Sequence, residues 1–257
     1  MISLVKEEIY KLVNKKSTIA ITICLLVAMT GIAIITKVQP KIFGAKMMFD
    51  ATYTGLTWVV LVLIAACGTI IAMEFQYGTI KEVLYRQYYR GQVIVSKWIT
   101  MLLYSLYLFI LTFVYSIILK FVLFNDKIDL SKHYGADHSL LVTTIISYAG
   151  QFVSVWLILS LVLLLANLFK SNAAAISIGI IGYFALSMVS QLMTLAIHKW
   201  NWLKWNPLNM MNLGNQVVEG SYKHLTYLST TQLTWGCLAY TAIFLFISYV
   251  VFKKRSV

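Results

Sequence analysis

Charge is scarce in this sequence. Of its 257 residues only 12% are Asp, Glu, Lys or Arg, while 60% are apolar or aromatic; an ordinary soluble domain has about 25% charged and about 45–50% apolar residues. A chain so poor in charge cannot cover a water-facing surface, which excludes a soluble globular protein. Proline occurs twice, so little interrupts long helices. The three cysteines, Cys24, Cys67 and Cys237, lie singly in apolar runs with no CxxC pair, give no disulfide framework and read as small packing residues. No GxxxxGK[ST] phosphate loop, GxSxG elbow or HExxH zinc motif occurs, so no catalytic residue is assigned and the chain cannot hydrolyse ATP by a phosphate-loop mechanism. His133, Asp137 and His138 form the one cluster of metal-like composition, but nothing supplies a fourth ligand at fixed spacing, so no metal site is assigned.

What is present is a series of apolar runs long enough to cross a hydrocarbon core of about 30 Å as helices. They fall at about 17–36, 51–73, 98–124, 140–169, 173–197 and 234–252, and the absence of repeats or low-complexity linkers reads as a single domain, 1–257. The expected fold is an all-α membrane protein of six spans. Ahead of them, residues 3–16 set Lys6, Glu7, Glu8, Lys11, Lys15 and Lys16 against Ile2, Val5, Ile9, Leu12 and Val13, an amphipathic helix suited to the headgroup plane. The first run has no small-residue cleavage site after it and is expected to stay as an uncleaved span.

The net charge of +12 belongs mostly to lysines and arginines beside the apolar runs, so they read as topology signals and headgroup contacts rather than a nucleic-acid surface. Placing both termini in the cytoplasm puts twelve basic residues inside and nine outside, with every arginine (Arg86, Arg90 and Arg255) inside. Trp98, the cluster Trp200, Trp202 and Trp205, and Trp235 fit membrane edges. The longest loop, 198–233, carries Pro207, Leu208, Met210, Met211, Leu213, Val217 and Val218, which suit either a short helical segment in the outer leaflet or a loop packed on the outer mouth.

No Asp, Glu, Arg or His falls inside any of these runs, and Lys120 is near enough to an end to snorkel. An ion-coupled carrier usually needs buried ionisable groups, so the pattern favours an external energy source. It equally disfavours an intramembrane hydrolase. The neutral polar side chains of the runs serve helix-to-helix hydrogen bonding or line a path, for which Tyr148, Gln151, Ser187 and Gln191 are the candidates. Small residues four apart, Ser171, Ala175 and Gly179, and likewise Gly68 and Ala72, permit close helix approach, within the protomer or across a dimer.

The loop between the second and third runs is the most informative segment. Glu74 ends a charge-free run, Gly78 permits a sharp turn, and Thr79 can cap a short helix in which Ile80, Val83 and Leu84 face away from Lys81, Glu82 and Arg86. Such a helix is either a docking surface for something cytoplasmic or a headgroup-bound loop.

The run Glu74-Phe75-x-x-Gly78-Thr79-Ile80-Lys81, followed by Arg90 and Ser96-Lys97, resembles the loop of six-span permeases of type-2 ATP-binding-cassette exporters. The likeness extends to the N-terminal amphipathic helix, the turn Leu168-Phe169-Lys170-Ser171-Asn172-Ala173-Ala174 and the step Trp205-Asn206-Pro207, while Tyr88-Tyr89 stand where a small residue or proline often precedes the arginine. The resemblance implies a plasma-membrane permease that pairs with a second copy or a sister subunit and docks two copies of a separate cytoplasmic ATPase, which binds the ATP and Mg; this chain itself would hold no cofactor. It implies a coupling helix over 78–90, with Glu74, Phe75, Gly78, Thr79, Lys81, Val83, Arg86 and Arg90 carrying the coupling. The likeness is greatest to Gram-positive exporters of bacteriocins, lantibiotics or peptide toxins, and relatives moving sodium, drugs or lipids are the alternative.

Overall fold

The computed structural model describes residues 1–78, 88–133, 139–169 and 171–254. The protein is an all-α membrane protein: no strand occurs among the described residues, and six helices are long and apolar enough to cross a membrane. An N-terminal helix α1 (Ile2–Val13) leads into the first spanning helix α2 (Lys16–Val38), followed by a short α3 (Ala45–Asp50). The other spanning helices are α4 (Gly55–Gln76), α5 (Arg90–Leu123), α6 (Leu140–Ala166), α7 (Asn172–Lys199) and α11 (Thr230–Lys254). Between α7 and α11 lie α8 (Pro207–Met210), α9 (Leu213–Val218) and α10 (Lys223–Thr226).

Several ends differ from the sequence expectation. The third span begins at Arg90 rather than near Trp98, and the second runs through Glu74 to Gln76, so three charged residues read as loop, Glu74, Arg90 and Lys97, lie within helices. The fourth ends at Ala166 rather than at Phe169, and the stretch 37–50, read as loop, contains α3. The chain groups into two compact units, Met1–Val62 with Ile99–Tyr148 and Leu63–Trp98 with Ala149–Val257. The division falls inside apolar runs, so no change in composition announces it.

In the first unit α2 buries Leu25, Met29, Ala33 and Thr36, spaced to share one face of a helix, while Ile19, Ile23, Val27 and Ile34 stay exposed, as suits a lipid-facing side. Thr30 and the Tyr115 hydroxyl meet at 2.6 Å and link α2 to α5. Gly55 is required by close approach, since a Cβ there would lie 2.8 Å from the Met29 sulfur. On α1 the buried pair is Leu4 and Glu8, not a purely apolar stripe; Lys11 holds the Glu8 carboxylate at 2.9 Å. Thr52, Tyr53 and Thr54, just before α4, all have φ between 47° and 61°. Three successive non-glycine residues in the left-handed region, two of them β-branched, store about 1–3 kcal/mol each. The turn sets the Tyr53 ring between Phe49 and Phe124, fully buried.

In the second unit the segment after α7 is part of the core rather than a helix floating on a leaflet. Asn206 and Pro207 start α8 as an N-cap and first-turn proline, with the Asn206 Oδ1 accepting from the Leu208 amide at 2.9 Å. Met210 and Leu213 pack with Leu157, Leu228, Leu233 and Cys237 in one buried cluster. Two buried amides hold the short helices together. Asn209 donates to the carbonyls of Lys204 and Thr226, and Gln216 donates to that of Leu228 while accepting from the Thr226 hydroxyl. A reciprocal cap then launches α11: the Ser229 amide donates to Gln232 Oε1 at 2.9 Å and the Gln232 amide to Ser229 Oγ at 3.2 Å.

Candidate functional site

The residues flanking the 79–87 loop converge at one end of the second unit. Glu74, in the last turn of α4, pairs with Lys97 of α5 at 2.7 Å, and the lysine side chain is only 1% exposed and the carboxylate 12%. These are the two charges that the sequence places at the edges of adjoining apolar runs. Each helix continues past its charge, and the two charges face one another. Beside the pair, Phe75 packs edge-to-face on Phe252 near the end of α11, with ring centroids 5.8 Å apart. Gln76 accepts at its Oε1 a hydrogen bond of 2.9 Å from the Asn172 amide at the start of α7.

On the other side of the loop, Arg90 donates to the Lys253 carbonyl at 3.3 Å, and at Gly91 a Cβ would come within 2.5 Å of the Tyr249 hydroxyl. One turn further in, Asn167, just past the end of α6, donates to Ser248 Oγ at 2.6 Å. The ends of α4, α5, α6, α7 and α11 are thus tied by the ion pair, the ring contact and the hydrogen bonds just described, all beside the 79–87 segment. Gly78, where the chain leaves α4, has φ of +71°, the left-handed conformation that glycine adopts without a Cβ clash. Of the residues expected to carry coupling, Glu74, Phe75, Gly78 and Arg90 belong to this framework, whereas Thr79, Lys81, Val83 and Arg86 lie outside the described residues. Gln76, Asn167 and the end of α11 were not singled out as functional residues; Lys97 entered only as part of the run that carries the resemblance and not among the coupling residues, and its own signal was a solitary charge beside an apolar run.

The small-residue stripe packs against another helix of the same chain. A Cβ at Gly179 would lie 2.9 Å from Ile64 Cγ2, and one at Gly68 would lie 3.2 Å from the backbone of Ala175 and Ile176, so α4 and α7 touch there. Ala175 and Gly179 are therefore not open to a second copy, and Ser171 alone of the three is exposed. The four path candidates have different fates. Tyr148 is buried in the first unit between Phe109 and Phe113. In the second unit, Gln151 is half-buried beside Gly214, Ser187 turns its hydroxyl onto the Tyr183 carbonyl at 2.7 Å, and Gln191 is exposed. Many neutral polar side chains do what Ser187 does. Thr69, Thr112 and Ser105 bond carbonyls of their own helices, whereas Ser154 and Ser190 reach across to the carbonyls of Met211 and Leu208.

The match to a described protein family covers this framework and nearly everything else: residues 17–257 fit the family described as "Protein of unknown function (DUF2705)". The chain belongs to the DUF2705 family. The match begins in the first spanning helix and takes in both units. Two proteins of Bacillus subtilis (strain 168) are similar to this DUF2705 chain, each about a quarter identical over the aligned residues. "Uncharacterized protein YhcI" is 26% identical over 216 residues, which are 81% of this chain and 67% of that protein. "Uncharacterized membrane protein YdbK" is 27% identical over 194 residues, 74% of this chain and 77% of that protein. The second is named a membrane protein, in agreement with the six helices of this DUF2705 member that are long and apolar enough to cross a membrane.

Proposed function

We propose that this DUF2705 protein is the permease subunit of an ATP-driven exporter of the ATP-binding-cassette type, and that a separate cytoplasmic ATPase docks, in two copies, on the loop that follows Glu74. In this reading the permease sits in the plasma membrane of a Gram-positive bacterium with both termini cytoplasmic, and works with a second copy or a sister subunit. The cargo is a hydrophobic or amphipathic molecule, an antimicrobial peptide, bacteriocin or peptide toxin. The observation that carries the proposal is the Glu74–Lys97 pair with its neighbours. A loop rooted in helices that are locked to one another at 2.7 Å cannot be displaced without moving those helices. That is what transmission of an ATPase stroke requires. The motif Glu74-Phe75-x-x-Gly78-Thr79 and the lack of a phosphate-loop motif in the chain support the same reading.

Spans poor in charge suit an amphipathic cargo better than a small hard ion, whose dehydration demands paired charge or several aimed carbonyls. The test is to express the permease with a co-encoded phosphate-loop ATPase in a sensitive host, alongside a version carrying an inactivated ATPase. Raised tolerance to an amphipathic peptide, dependent on ATP hydrolysis, is the expected result. A change confined to sodium tolerance would overturn the peptide cargo, and failure of any ATPase to co-purify would overturn the exporter.

A further inference from the structure

Three lysines and three tryptophans meet where α7 leaves its apolar run. Lys199 closes α7, and a 3-10 helix over Asn201–Trp205 follows at once. Residues three apart eclipse one another in such a helix, so Trp202 and Trp205 fall on one side of it. They are 75% and 47% exposed, and Trp200 is 51% exposed. Lys223, at the start of α10, is brought to the same place. Asn209 donates to the carbonyls of both Lys204 and Thr226, at 2.7 and 3.0 Å, and the rings of His198 and Tyr227 are 6.4 Å apart. The backing is fixed, since the Tyr240 hydroxyl of α11 donates to the Trp205 carbonyl at 2.8 Å. Lys199 Nζ lies 5.1 Å from the centroid of the Trp200 ring, which keeps the ammonium beside the exposed aromatics.

Charge and position together choose the partner. Between His198 and Trp235 the chain has three lysines and a single carboxylate, Glu219, whose Oε1 accepts from Ser221 Oγ at 2.6 Å. None of the three lysines forms an ion pair among the described residues. Lys199 and Lys223 are exposed and Lys204 is half-buried. An acidic peptide in water would suit the lysines but not three exposed tryptophans at the end of a spanning helix. There the indole buries its apolar body at the acyl boundary and keeps its N–H among the headgroups. A wholly apolar partner would leave the lysines unanswered. We propose that this platform binds anionic phospholipid headgroups, with Lys199, Lys204 and Lys223 on the phosphates and Trp200, Trp202 and Trp205 among the glycerol and upper acyl carbons. A zwitterionic lipid carries the same phosphate beside a cation of its own, so the lysines favour the anionic one. Because the platform follows α7 directly and is bonded to α11 through Tyr240, it ties the bound headgroups to two spanning helices.

The test uses the full-length protein labelled with fluorotryptophan and held in dodecylmaltoside. Fluorine NMR signals of the three platform tryptophans are assigned by their loss in Trp200→Phe, Trp202→Phe and Trp205→Phe. Dioleoylphosphatidylglycerol is titrated in, with dioleoylphosphatidylcholine and inorganic phosphate in parallel. The expected result is a saturable shift of the three signals at a lower concentration of the glycerol lipid than of the choline lipid, and none with phosphate. The buried Trp156 supplies a signal that stays in place and reports that each variant is folded. Lys199→Gln, Lys204→Gln and Lys223→Gln should each weaken binding of the glycerol lipid about fivefold and leave that of the choline lipid as it was. Equal affinity for the two lipids overturns the proposal, since the tryptophans would then mark the membrane edge without selecting charge. Shifts with phosphate alone overturn it in favour of a site for soluble anions. Undiminished binding of the glycerol lipid when all three lysines are replaced by glutamine, with the Trp156 signal in place, overturns it as well.

Discussion

Replacing Lys97 by Met removes a charge from the buried pair while keeping most of the side-chain volume. At 2.7 Å the attraction between Lys97 and Glu74 is large, about 6 kcal/mol at an effective dielectric of about 20. Desolvating each ion costs several kcal/mol, so the pair contributes little net stability compared with two apolar residues of the same shape. Its loss is another matter. Lys97→Met leaves the Glu74 carboxylate, 12% exposed, without this countercharge, and breaking a buried pair in this way costs about 3–5 kcal/mol. At roughly 2–4 °C per kcal/mol, the thermal midpoint in nanodiscs should fall by roughly 6–20 °C. Glu74→Leu combined with Lys97→Met should restore most of that loss, because no charge is then left buried. The same double variant should not restore substrate-stimulated ATP hydrolysis in the reconstituted complex if the pair fixes the geometry of the loop. Two results would refute the argument. A wild-type midpoint for Lys97→Met, with strictly additive effects in the double variant, would mean that the pair is not a buried interaction. Full coupling in the double variant would mean that it has no positioning role.

Further expectations follow from single contacts. Gly179→Val should destabilise by about 1–3 kcal/mol, seen as a lower thermal midpoint, because the side chain must displace Ile64 Cγ2, 2.9 Å from the ideal Cβ position. An unchanged midpoint would mean that α4 and α7 do not touch there. Gly78→Ala introduces a Cβ at φ of +71°, a strain of about 1–2 kcal/mol, and should reduce ATPase-coupled transport more than it reduces the amount of folded protein in the membrane, measured by parallel transport and expression assays. Ser229→Ala removes half of the reciprocal cap on α11 and should cost about 0.5–2 kcal/mol in a thermal or denaturant melt. In a background lacking Cys24, Cys67 and Cys237, a cysteine at position 131 should react with a membrane-impermeant thiol reagent from outside, and one at position 87 only from inside; the reverse would invert the topology.

The spans were legible because a bilayer imposes one demand, about 20 apolar residues per helix, and the sequence meets it six times over. Their ends were less legible. A charge beside an apolar run reads as the edge of the membrane, yet Glu74 and Lys97 lie within helices and are buried as each other's countercharge. The pairing depends on two positions 23 apart in sequence coming together across a loop, and no local pattern encodes that. The segment 198–233 was legible only at Asn206-Pro207, where capping chemistry is local. The cap at Ser229 and Gln232 was equally local and went unread, because its S-x-x-Q spacing precedes a run already accepted as a span. Helices of four to six residues such as α8, α9 and α10 are too short to show a period. They are held by Asn209 and Gln216, amides that in sequence look like ordinary loop polarity.

The left-handed turn at Thr52-Tyr53-Thr54 is a different kind of omission. Every local preference speaks against it, since threonine and tyrosine avoid positive φ. A reading built on preference therefore cannot find it. In a membrane the usual compensation, solvating a distorted backbone with bulk water, is missing, and irregular backbone at depth persists only where protein groups or an enclosed water satisfy it. Here the Thr52 hydroxyl accepts from the Leu56 amide at 3.3 Å and so caps the helix that follows, while its neighbour Tyr53 closes the core with Phe49 and Phe124. Both ends of α4 thus carry a departure from the regular pattern. A left-handed turn precedes it, and at its far end a charged pair and a left-handed glycine lead into the loop.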